Sequence, residues 1–379
     1  MDETIGRNAS DNSEISLHRK GSIDRILDEA GERRQSLRGF DPEYVDIVDY
    51  IVRCTHRIWE EMGVGLIYTH YRHNSVIHAG NDEVYGREAV VANTLQTLAA
   101  FPDRKLYADE VVWSGDDETG FHTSHLLTTV SHNTGHGAYG PPTGRRVVWR
   151  AIANCFVLEN QIVEEWLLRD EISVIRQLGL DPNRLAARQA EAALASGAGF
   201  PPRGPLERGV GQRMPETLPP PRNAGFDVEG FVRRAYHELW NWRLLNKVRD
   251  YHADNLRCRW SSGRRFANRI DYAAFLIALL AAFPDAKLTL DHVYWLGDDQ
   301  EGYRVAARWT LAGTHLGPGE WGEPSGARVN VMGLSQHRIE NDRFVEETTL
   351  FDEFALLKQI WTARLAAAAP SRDRAPAGD

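Results

Sequence analysis

FPDRKLYADEVVWSGDD at residues 101–117 recurs as FPDAKLTLDHVYWLGDD at residues 283–299, with eleven of seventeen positions identical. The offset is 283 − 101 = 182. Repetition at a fixed offset marks a reiterated folding unit. The offset holds downstream, where Pro142-Thr143-Gly144 answers to Pro324-Ser325-Gly326, Val163-Glu164-Glu165 to Val345-Glu346-Glu347, and Asp170 to Asp352. Upstream it is 181, which pairs His56 and Trp59 with His237 and Trp240. Copy one is therefore expected over residues 41–180 and copy two over residues 226–361. The length agrees, because 379 residues exceed the roughly 250–300 at which a single core stops growing.

The two copies share one order of elements. An amphipathic helix comes first (47–61; 228–245), then a short helical stretch and a short strand ending at His78 or Trp260. A helix follows (87–100; 272–282) and stops at FPD, where proline cannot continue it. Four strand-like runs close copy one, at 106–113, 120–130, 146–158 and 161–168, divided by the turn clusters GDD and PPTG. Helices followed by an antiparallel meander give an α+β unit. The expected architecture is two tandem cones, each a curved antiparallel sheet with helices on one face and a pocket at its open end. Residues 1–40 read as a polar tail or a loosely docked helix, and residues 362–379 as a disordered tail. Residues 181–225 begin as a helix (184–194) and become a Pro/Gly-rich linker arm.

The net charge of −9 argues against a general nucleic-acid binder, which needs a basic surface to displace counterions. No apolar run approaches the ~20 residues that span a bilayer, so no membrane partner is expected. The first residues, MDETIGRNASDNSE, carry no signal-peptide pattern. Cys54, Cys155 and Cys258 are odd in number and widely spaced, which suits free thiols in a reducing cytoplasm.

In copy one AAFPD, GPPTGRRV, QIVEEW and D-x-x-x-x-IRQLG occur in that order, and copy two keeps AAFPD, GTHLG, EPSGARV, RFVEE and Asp352. This series resembles the SnoaL-like polyketide cyclases of the nuclear-transport-factor-2-like superfamily. The sequence has no HExxH and no tight His/carboxylate triplet, so no metal is expected; the resemblance implies cofactor-free acid–base chemistry. It implies a general acid/base at the end of the last strand, at Asp170, with Asp352 in copy two. In ketosteroid-isomerase-like relatives the base follows the first short strand, which falls near His78 and, in copy two, near Trp260.

Alternation along a strand places Glu164, Trp166, Leu168 and Asp170 on one face and Glu165, Leu167 and Arg169 on the other. If the first set faces the cone, Asp170 lies beside an indole and its carboxyl becomes a proton carrier near neutral pH. Asp170 would equally serve as the N-cap of the next helix. His78 is the candidate base or a buried histidine bonded to the backbone. Tyr71 and Arg72 could hold a developing phenolate or enolate. Trp59, Tyr68, His70, His125, Trp149, Asn154 and Trp166 are candidate substrate contacts, and each has a packing reading beside it. Nine of the fourteen histidines, counting His18, fall with copy one. Copy two has Trp260 and Thr348 in place of His78 and Trp166, so the main site is expected in copy one.

Three functions are open. One is a lyase or isomerase acting on an aromatic molecule. A deformylating lyase of lignin-derived dimers belongs to this class, by a resemblance to the lignin-dimer γ-formaldehyde lyases. The second is a polyketide cyclase closing a ring by intramolecular aldol chemistry. The third is a non-catalytic binding or scaffolding protein. The expected partners are a small aromatic substrate and further copies of the chain, in a homo-oligomer built on an intrachain pseudo-dimer.

Overall fold

A computed structural model describes residues 14–20, 26–27, 31–79, 82–204, 206–207, 214–219 and 225–368. A short helix α1 (Leu17–Lys20) precedes copy one. Copy one then runs α2 (Ile47–Trp59), α3 (Ile67–His70), β1 (Tyr71–Ala79), β2 (Asp82–Tyr85), α4 (Arg87–Ala100), β3 (Lys105–Asp116), β4 (Gly120–His132), β5 (Arg146–Leu158), β6 (Gln161–Arg169) and α5 (Glu171–Gln177). After α6 (Pro182–Ala195) copy two repeats the series. Its elements are α7 (Val228–Tyr236), α8 (Val248–Tyr251), β7 (His252–Trp260), β8 (Arg264–Phe266), α9 (Arg269–Ala282), β9 (Lys287–Asp298), β10 (Gly302–Thr314), β11 (Arg328–Glu340), β12 (Arg343–Phe351) and α10 (Glu353–Ala368).

Each copy is a six-stranded sheet, ordered β2-β1-β6-β5-β4-β3 and β8-β7-β12-β11-β10-β9. The meander is antiparallel, but β1 joins β6 and β7 joins β12 in parallel. The long helical passage between β2 and β3 is what lets β1 lie beside the last strand, since a parallel pair cannot be closed by a tight turn. The β5–β6 hairpin turns on Glu159 and Asn160, both at positive φ (48° and 69°), and its copy-two equivalent on Asn341 and Asp342. Two successive positive φ values form a type I′ turn, whose twist matches that of the strands.

Three expectations change. The first helix of copy two does not run unbroken to residue 245; α7 passes into a π turn at His237–Asn241. The described part of residues 1–40 is docked rather than loose. Leu17, Ile26, Leu37 and Phe40 are buried in the copy-one core, and Trp113 Nε1 donates to the Ile15 carbonyl at 2.8 Å. Helix α10 continues to Ala368, so residues 362–368 are helical, and the rest of the expected tail, residues 369–379, lies outside the described residues.

The sheet faces left uncovered by helices pack against each other. Leu126, Ile152 and Leu168 of copy one meet Leu334 and Leu350 of copy two. Gln336 Nε2 donates to the Ser124 carbonyl and hydroxyl, each at 2.9 Å, and Arg304 pairs with Glu110 at 2.9 Å. This explains why β4 and β11 are buried on both faces and do not alternate apolar with polar.

Register corrects the correspondence between copies. Ala79 lies opposite Leu167 and Trp260 opposite Thr349, and 349 − 167 = 182. Trp260 is therefore the counterpart of Ala79, and Arg259, not Trp260, is the counterpart of His78. The difference decides what fills each cone. In copy two Trp260, Phe275, Trp309 and Phe351 are buried together in one core. Gly333 makes room for Trp309, since a Cβ there would sit 2.1 Å from its ring. At the matching positions copy one has Ala79, Asn93, Leu127 and Arg169, which are smaller or polar.

Candidate active site

The copy-one cone is hollow in consequence. Two inner chambers of about 60 and 70 Å³ share Trp59, Tyr71, Glu165, Leu167 and Arg169 in their walls. An outer chamber of about 360 Å³ shares Leu167 and Arg169 with them and extends past Trp149 and Tyr139. Strand β6 therefore presents Glu165, Leu167 and Arg169 to the cone. The alternative set, Trp166, Leu168 and Asp170, faces copy two.

Glu165 is the buried carboxylate of the cone. Tyr71 Oη donates to its Oε2 at 2.9 Å, while Oε1 makes no hydrogen bond among the described residues. Burial raises the Glu165 pKa, and the Tyr71 hydroxyl and Arg169 partly offset that rise. Burial and the adjacent carboxylate push the Tyr71 phenol well above its ordinary value, so it keeps its proton and remains a donor.

Two guanidinium groups flank Trp59. Arg104 Cζ lies 4.8 Å from the Trp59 ring centroid and 5.8 Å from that of Trp149; Arg169 Cζ lies 5.8 Å from Trp59. Such cation–π contacts hold a guanidinium without neutralising it. Arg104 donates to the Phe101 and Thr97 carbonyls at 3.3 and 3.1 Å, which fixes it at the end of α4. Burial, with Arg169 nearby, lowers its pKa to about 9. Arg169 has no ion pair or side-chain hydrogen bond among the described residues, so its donors are open to a ligand. Farther out, Tyr139 Oη donates to Glu171.

Several sequence-derived candidates lie elsewhere. His78 is on the face toward copy two, with Nε2 2.8 Å from Glu164 Oε1 and its ring stacked on Trp166 at 5.3 Å. Trp166 in turn carries Arg308 of copy two 3.5 Å above its ring. Asp170 caps α5 through Ser173 N at 3.2 Å and also accepts from Ser262 N and Gly263 N of copy two at 2.7 and 3.1 Å. It ties the copies together and does not enter the cone. Asn154 lies opposite Trp166 on the same outer face. Arg72 does not line the chambers. Tyr68 is 45% exposed, and its hydroxyl donates to Glu88 at 3.1 Å. His70 is buried against the Tyr44 hydroxyl at 2.7 Å. His125 is buried beside Thr55, and burial lowers its pKa to about 4. The cone thus brings together Tyr71, Trp59 and Trp149 from the candidates. Glu165, Arg104 and Arg169 complete it and are not among the candidates, although strand alternation sets Glu165 and Arg169 on one face.

Among the described residues no three His, Cys, Asp or Glu side chains gather as a metal site, and no helix is long and apolar enough to cross a membrane.

Residues 50–178 and 231–360 match the family described as SnoaL-like polyketide cyclase. Among solved structures, the chain is similar to a protein from Jannaschia sp. CCS1 assigned as a SnoaL-like polyketide cyclase. Identity is 21%, over 38% of this chain and 92% of that one, with a TM-score of 0.32. It is similar to AclR of Streptomyces galilaeus, assigned as a hydroxylase, at 20% identity over 35% and 98% of the two chains (TM-score 0.31). IdmH of Streptomyces antibioticus, assigned as a polyketide cyclase, has 22% identity over 35% and 96% (TM-score 0.31). No curated protein matches the sequence. With both copies matched by the family and folded as the same six-stranded α+β unit, the chain belongs to the SnoaL-like polyketide cyclase family and carries its domain twice.

Proposed function

We propose that copy one is a cofactor-independent acid–base enzyme acting on an aromatic small molecule with a carbonyl group. The observation that carries this reading is Glu165, a buried carboxylate with one oxygen free of hydrogen bonds, facing a cavity that also holds the unpaired guanidinium of Arg169. Raising a carboxylate pKa makes it a stronger base toward a weak carbon acid. Glu165 takes a proton from the carbon beside the carbonyl, and the C–H electron pair moves onto the carbonyl oxygen. Arg169 and Arg104 stabilise that oxyanion, as fixed charges do best in a water-poor site. Tyr71 positions Glu165, and Trp59 and Trp149 bound the space for a flat ring.

Three reactions run through that enolate. Return of the proton at another carbon is isomerisation. Attack on a second carbonyl of the same molecule is aldol ring closure, the outcome the family match favours. In the reverse sense, a β-hydroxy ketone loses its hydroxyl proton to Glu165, the bond between its α- and β-carbons breaks with the electron pair moving onto the carbonyl oxygen, formaldehyde leaves, and the enolate carbon takes the proton back from Glu165. That is the form a lyase of lignin-derived dimers would take.

The test is deuterium exchange. Aryl ketones, among them acetophenone and β-hydroxypropiophenone, are incubated with the protein in D2O and followed by NMR, with formaldehyde assayed in parallel. Wild type should exchange the α-protons, and Glu165→Gln should slow exchange by about 10²–10⁴-fold. His78→Ala and Asp170→Asn should stay within a few-fold. Exchange by Glu165→Gln at the wild-type rate would remove Glu165 as the base. Binding by wild type without any exchange would make the chain a binding protein.

A further inference from the structure

The outer chamber is not made by copy one alone. Its wall includes Gln189 of α6, Phe200 of the linker arm, and Phe354 and Lys358 of α10. Phe200 is anchored there, since its N–H donates to Thr362 Oγ1 at 3.2 Å. The Lys358 ammonium lies 4.4 Å from the Phe200 ring centroid and 5.4 Å from that of Phe354. Among the described residues it has no carboxylate within ion-pair distance and no hydrogen bond. The linker and copy two therefore hold an ammonium between two aromatic rings at the wall of the copy-one cavity.

We infer that Lys358 is a specificity residue that binds an anionic group, a carboxylate, at the outer end of a substrate held in copy one. The inference rests on the proposed function above, and it narrows the substrate class to aromatic acids. The two ends of the cavity would then be distinct in chemistry. The inner end offers guanidinium groups beside a base, where negative charge develops during reaction. The outer end offers a fixed ammonium for a charge the substrate already has. A cation held by aromatic faces keeps its full charge for a ligand, and a partly desolvated charge discriminates strongly between an anion and its neutral isostere. The arrangement also gives the second copy a use, although its own cone is filled: its last helix completes the site of the first.

Calorimetric titration of the full chain with 4-acetylbenzoate and with methyl 4-acetylbenzoate tests this. Wild type should bind the acid about ten-fold or more tighter than the ester. Lys358→Met should bring that ratio to about one by weakening the acid alone, and Lys358→Arg should restore it. Arg169→Met should weaken both ligands and leave the ratio in place. A ratio near one in wild type, with both ligands bound, would overturn the assignment of Lys358 and leave the proposed function standing. A ratio erased by Arg169→Met and kept by Lys358→Met would place the carboxylate at the inner end, and would also overturn it. Failure of both ligands to bind would overturn the aryl-ketone reading of the cavity together with this one.

Discussion

Replacing Trp260 by alanine should open in copy two the space that copy one already has. Trp260 is 3% exposed, with ring centroids of Phe275 at 5.0 Å, Trp240 and Tyr272 at 6.1 Å and Phe351 at 6.2 Å. A buried aromatic of this size removes roughly 150–250 Å² from water. At ~25 cal/mol per Å² that is about 4–6 kcal/mol, an upper figure because the unfolded chain already buries part of its surface. Measured aromatic-to-alanine losses in cores run about 3–5 kcal/mol. The expected loss is therefore about 4 kcal/mol, read from guanidinium unfolding by far-UV circular dichroism. Deuterium exchange into aryl ketones should stay within two-fold of wild type, because the copy-one chambers do not include Trp260. Loss of exchange with an intact far-UV spectrum would place the working site in copy two. A stability change below ~1 kcal/mol would show that Trp260 is not a packing residue, and the account of why one cone is filled and the other hollow would fall with it.

Other perturbations test the remaining links. Ala79→Trp, the converse exchange, should fill the inner chambers and abolish ketone binding while the fold persists; tight binding in that variant would contradict the register on which the comparison of copies depends. Asp170→Ala should leave the donors of Ser173, Ser262 and Gly263 unmatched and cost about 2–4 kcal/mol, read as a shift in the denaturation midpoint. An unchanged midpoint would refute its role in tying the copies together. Burial pushes the Glu347 carboxyl up to about 7. The unfolded chain gives up that proton first, so the contribution is complete below about pH 4.5 and lost as pH rises through about 7, roughly 3 kcal/mol in all. Glu347→Gln should flatten stability over that range, and an unaltered pH curve would show the group is not buried as an acid. His122 and His292 face each other across the copies at 4.6 Å, with pKa values lowered by burial to about 4 and about 3. The unfolded chain takes up protons on them from about pH 6.5 downward, so stability should fall as pH drops from there toward 4. Replacing both with glutamine should remove that share of the acid loss in urea unfolding at pH 7 and pH 4.5.

The repeat at residues 101–117 and 283–299 determined by itself that the chain is two copies of one α+β unit. Identical turn and breaker residues at a constant offset leave no other economical reading, and a proline after α4 and α9 ends both helices for a local reason. The site was legible only in part. Alternation along β6 set Glu165, Leu167 and Arg169 against Trp166, Leu168 and Asp170, but a period of two does not say which face is inside. Tertiary structure decided that, because copy two covers the face bearing Trp166 and Asp170, and the helices enclose the other. The same contact puts the Asp170 carboxyl on backbone donors of copy two and leaves His78 outside the cone, against Glu164 and Trp166. Register, which depends on pairing between strands distant in sequence, placed Trp260 opposite Ala79 in the comparison and so showed which cone is open. Lys358 joins the copy-one cavity from more than 150 positions beyond its nearest copy-one neighbour in that wall, Val174. Only the packing of α10 on α6 brings it there, and no local pattern in the sequence records such a contact.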